Sequence, residues 1–252
     1  TGSSNIAIGY QALPCNTAGS NNYAIGIWTL QNSTCSTNNT AIGSYALRYT
    51  TTGSCNIGIG YQSLYNNCTG SQNIAIGGYA LMCNTTGGAN VAIGAGAIMC
   101  NPSSCNNTAI GFYALGCSSG SGCNNIAIGP CSLYGNTTGC NNTAIGYTAL
   151  RCNRFGNNNI ASGKNALYNN FSGCSNLAQG YNALYCNTTG TNNTAIGSYA
   201  LMCNTTGCNN SAVGYCSLYS NTSGTNNVAQ GYASLYSNTT GNNNVGIGYK
   251  DR

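Results

Sequence analysis

Charge is almost missing from this chain. Its 252 residues include six lysines and arginines, one acidic residue and no histidine. Hydrolytic and proton-transfer chemistry needs a group that titrates near the working pH, or a metal held by histidine, cysteine or carboxylate. The sole acid is Asp251, next to the last residue, so no acid, base and nucleophile can be combined. The sequence therefore predicts a protein that is not an enzyme and holds no cofactor or metal. Arg48, Arg151, Arg154, Lys164, Lys250 and Arg252 bring the net charge to +5, but they are spread too thinly to make a nucleic-acid-binding patch. No apolar run approaches the roughly 18–20 residues that cross a bilayer, and no basic-then-apolar segment opens the chain, so no membrane insertion is expected. The chain starts at Thr1 without methionine, which suggests a processed product or a piece of something longer.

Scarce charge and 36 glycines are marks of low-complexity sequence, yet 42% of the residues are hydrophobic and they fall at fixed places, which predicts order. The stretch NTTGTNNTAIGSYALMCNTTGCNNSAVGY (187–215) nearly says one phrase twice. Numbered from the asparagine that opens it, the phrase reads N-x-A-I-G-Y-x-A-L, then a variable pair and N-T-T-G-x-N. Its fifth slot is glycine in every copy: Gly9, Gly26, Gly43, Gly60, Gly77, Gly94, Gly111, Gly129, Gly146, Gly163, Gly180, Gly197, Gly214, Gly231 and Gly248. Copies are 17 residues apart except for one step of 18, from Asn107 to Asn125. So short a period makes each copy one coil of a solenoid within a single repeat domain, 1–252. The extra residue lies in CSSGSGC (117–123), and since turns tolerate insertions that strands do not, a turn is expected there.

Variation among the copies shows which slots face restricted space. A constant glycine at slot 5 implies positive φ or a backbone packed against it. Slot 3 is alanine except at Gly58 and Gly246, slot 8 is always small up to Ser234, and slot 9 is leucine apart from Ile98 over the same span. Together they describe a narrow interior. Slots 2 and 4 point to the other side of a strand and are mostly Ile, Val or Thr, although Ser162, Gln179 and Gln230 stand at slot 4. Such an apolar stripe exceeds what monomers usually expose, so it is expected to pack against sister chains. The NTTG segment reads as an outer turn closed by a glycine with positive φ. The pattern predicts an all-β fold, a parallel β-solenoid or β-roll of fifteen coils rising about 4.8 Å each, roughly 70 Å in all. Charge is disfavoured where each slot sits above its own copy, whereas the constant asparagine of slot 1 can pass amide hydrogen bonds from coil to coil.

With these residues laid out, NNTAIGYxAL…NTTG resembles two groups of extracellular fibres. One is the head of trimeric autotransporter adhesins of the YadA type. The other is the repeat-bearing shaft of tail-fibre-like proteins. The likeness runs from Asn5 to Asn244. It implies a left-handed parallel β-roll assembled as a homotrimer. The copies here are longer than those of the adhesin head, and 17 cysteines are unusual for either group.

The cysteines admit two pairings. Neighbours in slot 11, such as Cys83/Cys100 or Cys186/Cys203, lie about one coil apart, within the ~4.4–6.8 Å Cα window of a disulfide. Pairs across one turn, Cys100/Cys105, Cys117/Cys123 and Cys203/Cys208, could staple the loops instead. Either implies an oxidising, extracellular setting. Slots 6, 7 and 10 hold most aromatics, read either as rows for sugar rings or as β-favouring cover for a strand surface. Sequons at Asn84, Asn136, Asn187, Asn204, Asn221 and Asn238 are candidate N-glycosylation sites, although the turn itself demands Asn-Thr. The function expected is structural: a rigid extracellular fibre or filament, on a cell surface, a virion or secreted, with an outer surface open to adhesion and contacts to surface glycans. A glycan- or ice-binding module is the alternative. Bare β ends further suggest head-to-tail continuation.

Overall fold

The computed structural model describes residues 2–117 and 120–250. Ser118 and Ser119 of the inserted turn, together with Thr1, Asp251 and Arg252, lie outside the described residues. The chain forms two compact units, Thr1–Asn124 and Asn125–Arg252. The first carries β1 (Ile6–Ile8), β2 (Tyr23–Ile25), β3 (Thr40–Ile42), β4 (Ile57–Ile59), β5 (Ile74–Ile76), β6 (Val91–Ile93) and β7 (Thr108–Ile110). The second carries β8 (Ile126–Ile128), β9 (Thr143–Ile145), β10 (Ile160–Ser162), β11 (Leu177–Gln179), β12 (Thr194–Ile196), β13 (Ser211–Val213), β14 (Val228–Gln230) and β15 (Val245–Ile247). All fifteen are parallel strands of a β-solenoid, and each covers slots 2–4 of one copy. Within a unit every strand pairs with the next at zero offset in the repeat, so Ala75 lies beside Ala92 and Ala144 beside Ala161.

The interior is one small residue and one leucine wide. Alanine at slot 3, the small residue at slot 8 and the leucine at slot 9 are fully buried in copy after copy, for example Ala75, Ala80 and Leu81, or Ala161, Ala166 and Leu167. The rest of the coil is not strand. Slots 6–11 form turns, which corrects the reading of their aromatics as cover for a strand surface. Slot 7 and slot 9 both adopt the left-handed conformation, with φ between 47° and 53° at slot 9 from Leu13 to Leu235. That conformation costs about 1–2 kcal/mol for a residue with a side chain, whereas full burial of a leucine stabilises by about 1.5–3 kcal/mol. Burial therefore holds the leucine in place.

The twist also aims backbone groups along the stack. The N–H of slot 7 donates to slot 6 of the preceding coil, as Tyr79 does to Tyr61 at 2.9 Å, while slot 9 donates to slot 8 of the following coil, as Leu81 does to Ala97 at 3.0 Å. Inside a unit, a coil with a neighbour on each side thus bonds to both outside its strand as well as within it.

Two kinds of glycine have different causes. At slot 5, Gly146 has φ +129°, and a Cβ there would stand 2.7 Å from the carbonyl oxygen of Gly163 in the next coil. The slot-15 glycine of NTTG does not close its turn through positive φ, as expected from sequence; the left-handed residue is slot 17, as at Asn158 and Asn192. Slot 15 lacks space instead. A Cβ on Gly173 would meet the Gly190 carbonyl oxygen at 2.4 Å and the Oδ1 of its own Asn170 at 2.5 Å.

Candidate functional site

The parallel stacking sets each slot beside its own copy, so like side chains form columns. The most regular are asparagines. At slot 1, Oδ1 of Asn176 accepts from the backbone N–H and the side-chain Nδ2 of Asn193, at 3.0 and 3.2 Å, and the same Nδ2 donates to Gly207 O at 2.8 Å. A second ladder, at slot 12, was not anticipated. Asn187 Nδ2 donates to Asn170 Oδ1 at 2.8 Å and to Gly190 O at 3.1 Å, and Asn204 repeats this on Asn187 and Gly207.

The slot-12 asparagines are the proposed glycosylation sites, and the fold uses them otherwise. Asn84, Asn136, Asn187, Asn204 and Asn221 are completely buried. Asn238 is half-buried, and its Nδ2 donates to Asn221 and Gly241. Nδ2 is the atom a glycan would occupy, so a sugar there would replace the ladder that closes the turn. The sequons follow from the turn's own chemistry.

The cysteines are thiols in this structure. Those at slot 16 act as hydrogen-bond acceptors. Cys105 Sγ accepts from Gly88 N at 3.5 Å, Cys123 Sγ from Cys105 N at 3.2 Å and Cys208 Sγ from Thr191 N at 3.4 Å. Ser54, Ser71 and Asn157 do the same work for Thr37, Ser54 and Cys140. A staple across the turn, Cys100/Cys105, Cys117/Cys123 or Cys203/Cys208, would pull these sulfurs from that role. The signal was present in the sequence: slot 16 is filled mainly by Ser, Thr, Cys and Asn, all with an acceptor near the backbone. At slot 11, burial pushes the Cys100 thiol up, helped by Cys83 and Cys117 on either side and a hydrogen bond to Cys83. Burial also raises Cys186, with Cys203 adding to it, and raises Cys203 itself. The described residues contain no group of three or more metal-ligating side chains.

Aromatics and cations share columns. In the first unit Tyr10, Trp28, Tyr45, Tyr61 and Tyr79 follow one another at centroid spacings of 6.3, 5.1, 5.8 and 5.4 Å. In the second unit Tyr215, Tyr232 and Tyr249 stack at 5.3 and 5.0 Å, with interplanar angles of 15° and 9°. Arg48, Arg151, Arg154 and Lys164 lie against rings. Arg48 sits 4.9 Å from the Trp28 centroid and 5.1 Å from Tyr49, and Lys164 lies between Tyr147 and Tyr181 at 6.0 and 5.8 Å.

The aliphatic face lies on the outside. Slot 4 is exposed at Ile25, Ile42, Ile76, Ile93 and Ile110 in the first unit and at Ile128 and Ile145 in the second. Slot 6 extends the apolar surface with Phe112, Tyr147 and Tyr215. No helix among the described residues is long and apolar enough to cross a membrane.

No protein-family model matches the chain, and no curated protein matches it.

Proposed function

We propose that the chain is a structural protein, a stiff segment of an extracellular fibre whose coils are covered laterally by two further copies of itself. One observation carries this reading: exposed isoleucines recur along the strands, outside coils whose own leucines and alanines are already buried. An apolar stripe of this length is a surface for association. The coil spacing favours a partner of the same pitch, and another copy has that pitch by construction. The sequence resemblance to trimeric fibre repeats supplies the number three and the extracellular setting.

The alternatives find less support in the geometry. A sugar ring stacks on an aromatic face, and in the Tyr215, Tyr232 and Tyr249 column those faces lie against one another. Ice recognition needs free, ordered hydroxyls, but the slot-13 threonines donate theirs to the next coil, as Thr85 does to Pro102 O at 2.8 Å and Thr188 to Thr205 O at 3.0 Å.

Light scattering on the purified chain tests the proposal. The expected mass is three times the 25.7 kDa chain. Replacing Ile42, Ile76 and Ile110 by lysine, in alternate coils so that the charges do not stack on one another, should give folded monomers, because these side chains are exposed on the outside of the coil. Wild-type chain that stays monomeric at high concentration would refute the reading.

A further inference from the structure

We infer that Ser162, Gln179 and Gln230 set the register in which copies of this chain lie side by side. The inference rests on the lateral association proposed above. A regular repeat poses a difficulty for such packing: along an aliphatic face whose pitch is one coil, two copies fit nearly as well slipped by any whole number of coils as in register.

The face of the second unit is not uniform. From β8 to β15, slot 4 reads Ile128, Ile145, Ser162, Gln179, Ile196, Val213, Gln230 and Ile247. Gln179 and Gln230 are exposed and Ser162 is half-buried. The side-chain amides of both glutamines find no hydrogen-bond partner among the described residues. The slot-1 asparagines of the same coils, by contrast, are fully engaged. The coil does not need the glutamines for its own stability, and they interrupt the surface expected to be covered.

Covering them with a plain apolar surface would leave amides buried and unpaired, at about 1–3 kcal/mol for each orphaned group. A second copy in parallel register avoids this. Each glutamine then meets its own counterpart, and an amide both donates and accepts, so like residues around a symmetry axis can bond to one another. A slip of one coil sets Gln179 against Ile196 and Gln230 against Ile247. A slip of three pairs Gln179 with Gln230, but puts the other copy's Gln179 against Ile128 and Ser162 against Val213, and shortens the shared face by three coils. Only zero slip matches all three polar residues. A lone polar residue in an apolar seam fixes register in coiled coils on the same principle.

Site-specific photo-crosslinking tests this on the whole chain. p-Benzoylphenylalanine in place of Tyr147, exposed beside the aliphatic face, should crosslink the wild-type assembly to the same coil of the neighbouring copy, as mapped by mass spectrometry. The triple variant Ser162→Ile, Gln179→Ile, Gln230→Ile should keep its chain number by light scattering, while its crosslinks spread to other coils in steps of the repeat. Same-coil crosslinks retained in the triple variant, or scattered crosslinks in the wild type, would overturn the register proposal and leave association standing. A monomeric wild type would overturn both.

Discussion

Oδ1 of Asn142 accepts two hydrogen bonds from Asn159, one from its backbone N–H at 3.0 Å and one from its side-chain Nδ2 at 3.1 Å. Asn159 in turn donates to Gly173 O at 2.8 Å, and its Oδ1 accepts from the backbone and amide of Asn176. Substituting Asn159 by alanine orphans the backbone N–H of Asn176, while Asn142 Oδ1, Gly173 O and Asn176 Nδ2 each lose one bond and keep one, to the residue-159 N–H, Asn170 Nδ2 and Gly190 O. At roughly 1–3 kcal/mol for the buried group left unpaired, with the weakened neighbours adding to it, the variant should be clearly less stable in denaturant titration. Asn159→Asp should fail as well, because it keeps the acceptor but loses both donors. Equal stability of either variant with the wild type would contradict the ladder.

Glycine is needed at slot 5 for two reasons acting together. Gly146→Ala places a side chain at φ +129° and against the Gly163 carbonyl. Backbone strain alone costs about 1–3 kcal/mol, and the clash adds to it. Gly78→Ala is the control, since a Cβ there meets nothing closer than Tyr61 O at 3.9 Å. Thermal melting should fall for the first variant and stay nearly constant for the second.

The coil of Ser104 is imperfect. Ser104 stands at slot 15 where most copies have glycine, and next to it the slot-12 ladder breaks: Asn84 Oδ1 and Asn101 Nδ2 are buried without partners. Ser104 Oγ does accept from Asn107 Nδ2 at 3.0 Å. Ser104→Gly gives up that bond, worth about 1 kcal/mol net, and lets Asn101 reach Asn84, relieving two orphaned groups at about 1–3 kcal/mol each. The variant should melt at a higher temperature than the wild type; an unchanged or lower midpoint would show that the serine does not cause the break.

Stability should be nearly independent of pH across the acid range. Acid unfolding mostly reflects paired carboxylates taking up protons, and this chain has one carboxylate side chain and no histidine. Alkali acts differently. Burial raises the thiols of Cys100, Cys152, Cys186 and Cys203. The folded state then holds protons that the unfolded state releases. Their contribution is complete below the ordinary thiol value of about 8.5 and is lost as pH rises from there toward the folded value. Melting temperature measured from pH 3 to 10 should be flat and then fall. A marked drop below pH 6 would contradict this.

Much of the coil was legible in the sequence because repetition substitutes for comparison between proteins. The constant Gly146 and its copies announced a close approach, the alanine and leucine slots announced a thin core, and the constant Asn142 announced a ladder. The second ladder was hidden by its context. Asn187 sits in a sequon inside a turn, and turns favour asparagine for local reasons, so nothing in one dimension distinguishes a buried column from an exposed loop. The slot-16 cysteines read two ways in the sequence, because the spacing of Cys203 and Cys208 across a turn suits a staple as well as it suits an acceptor in a stack. Nor does composition reveal that Tyr79 and Leu81 twist into the left-handed region, since neither residue type favours it.

The sequence by itself determined the period, the parallel in-register stacking and the exclusion of charge, because each depends only on a residue meeting its own copy one coil away. Only the tertiary structure decided which slots are strand and which are turn, which amides are buried, and where the isoleucines point. Those depend on how the seventeen residues of one coil close on themselves, and that closure is set by left-handed residues and shared carbonyls whose partners lie in other coils.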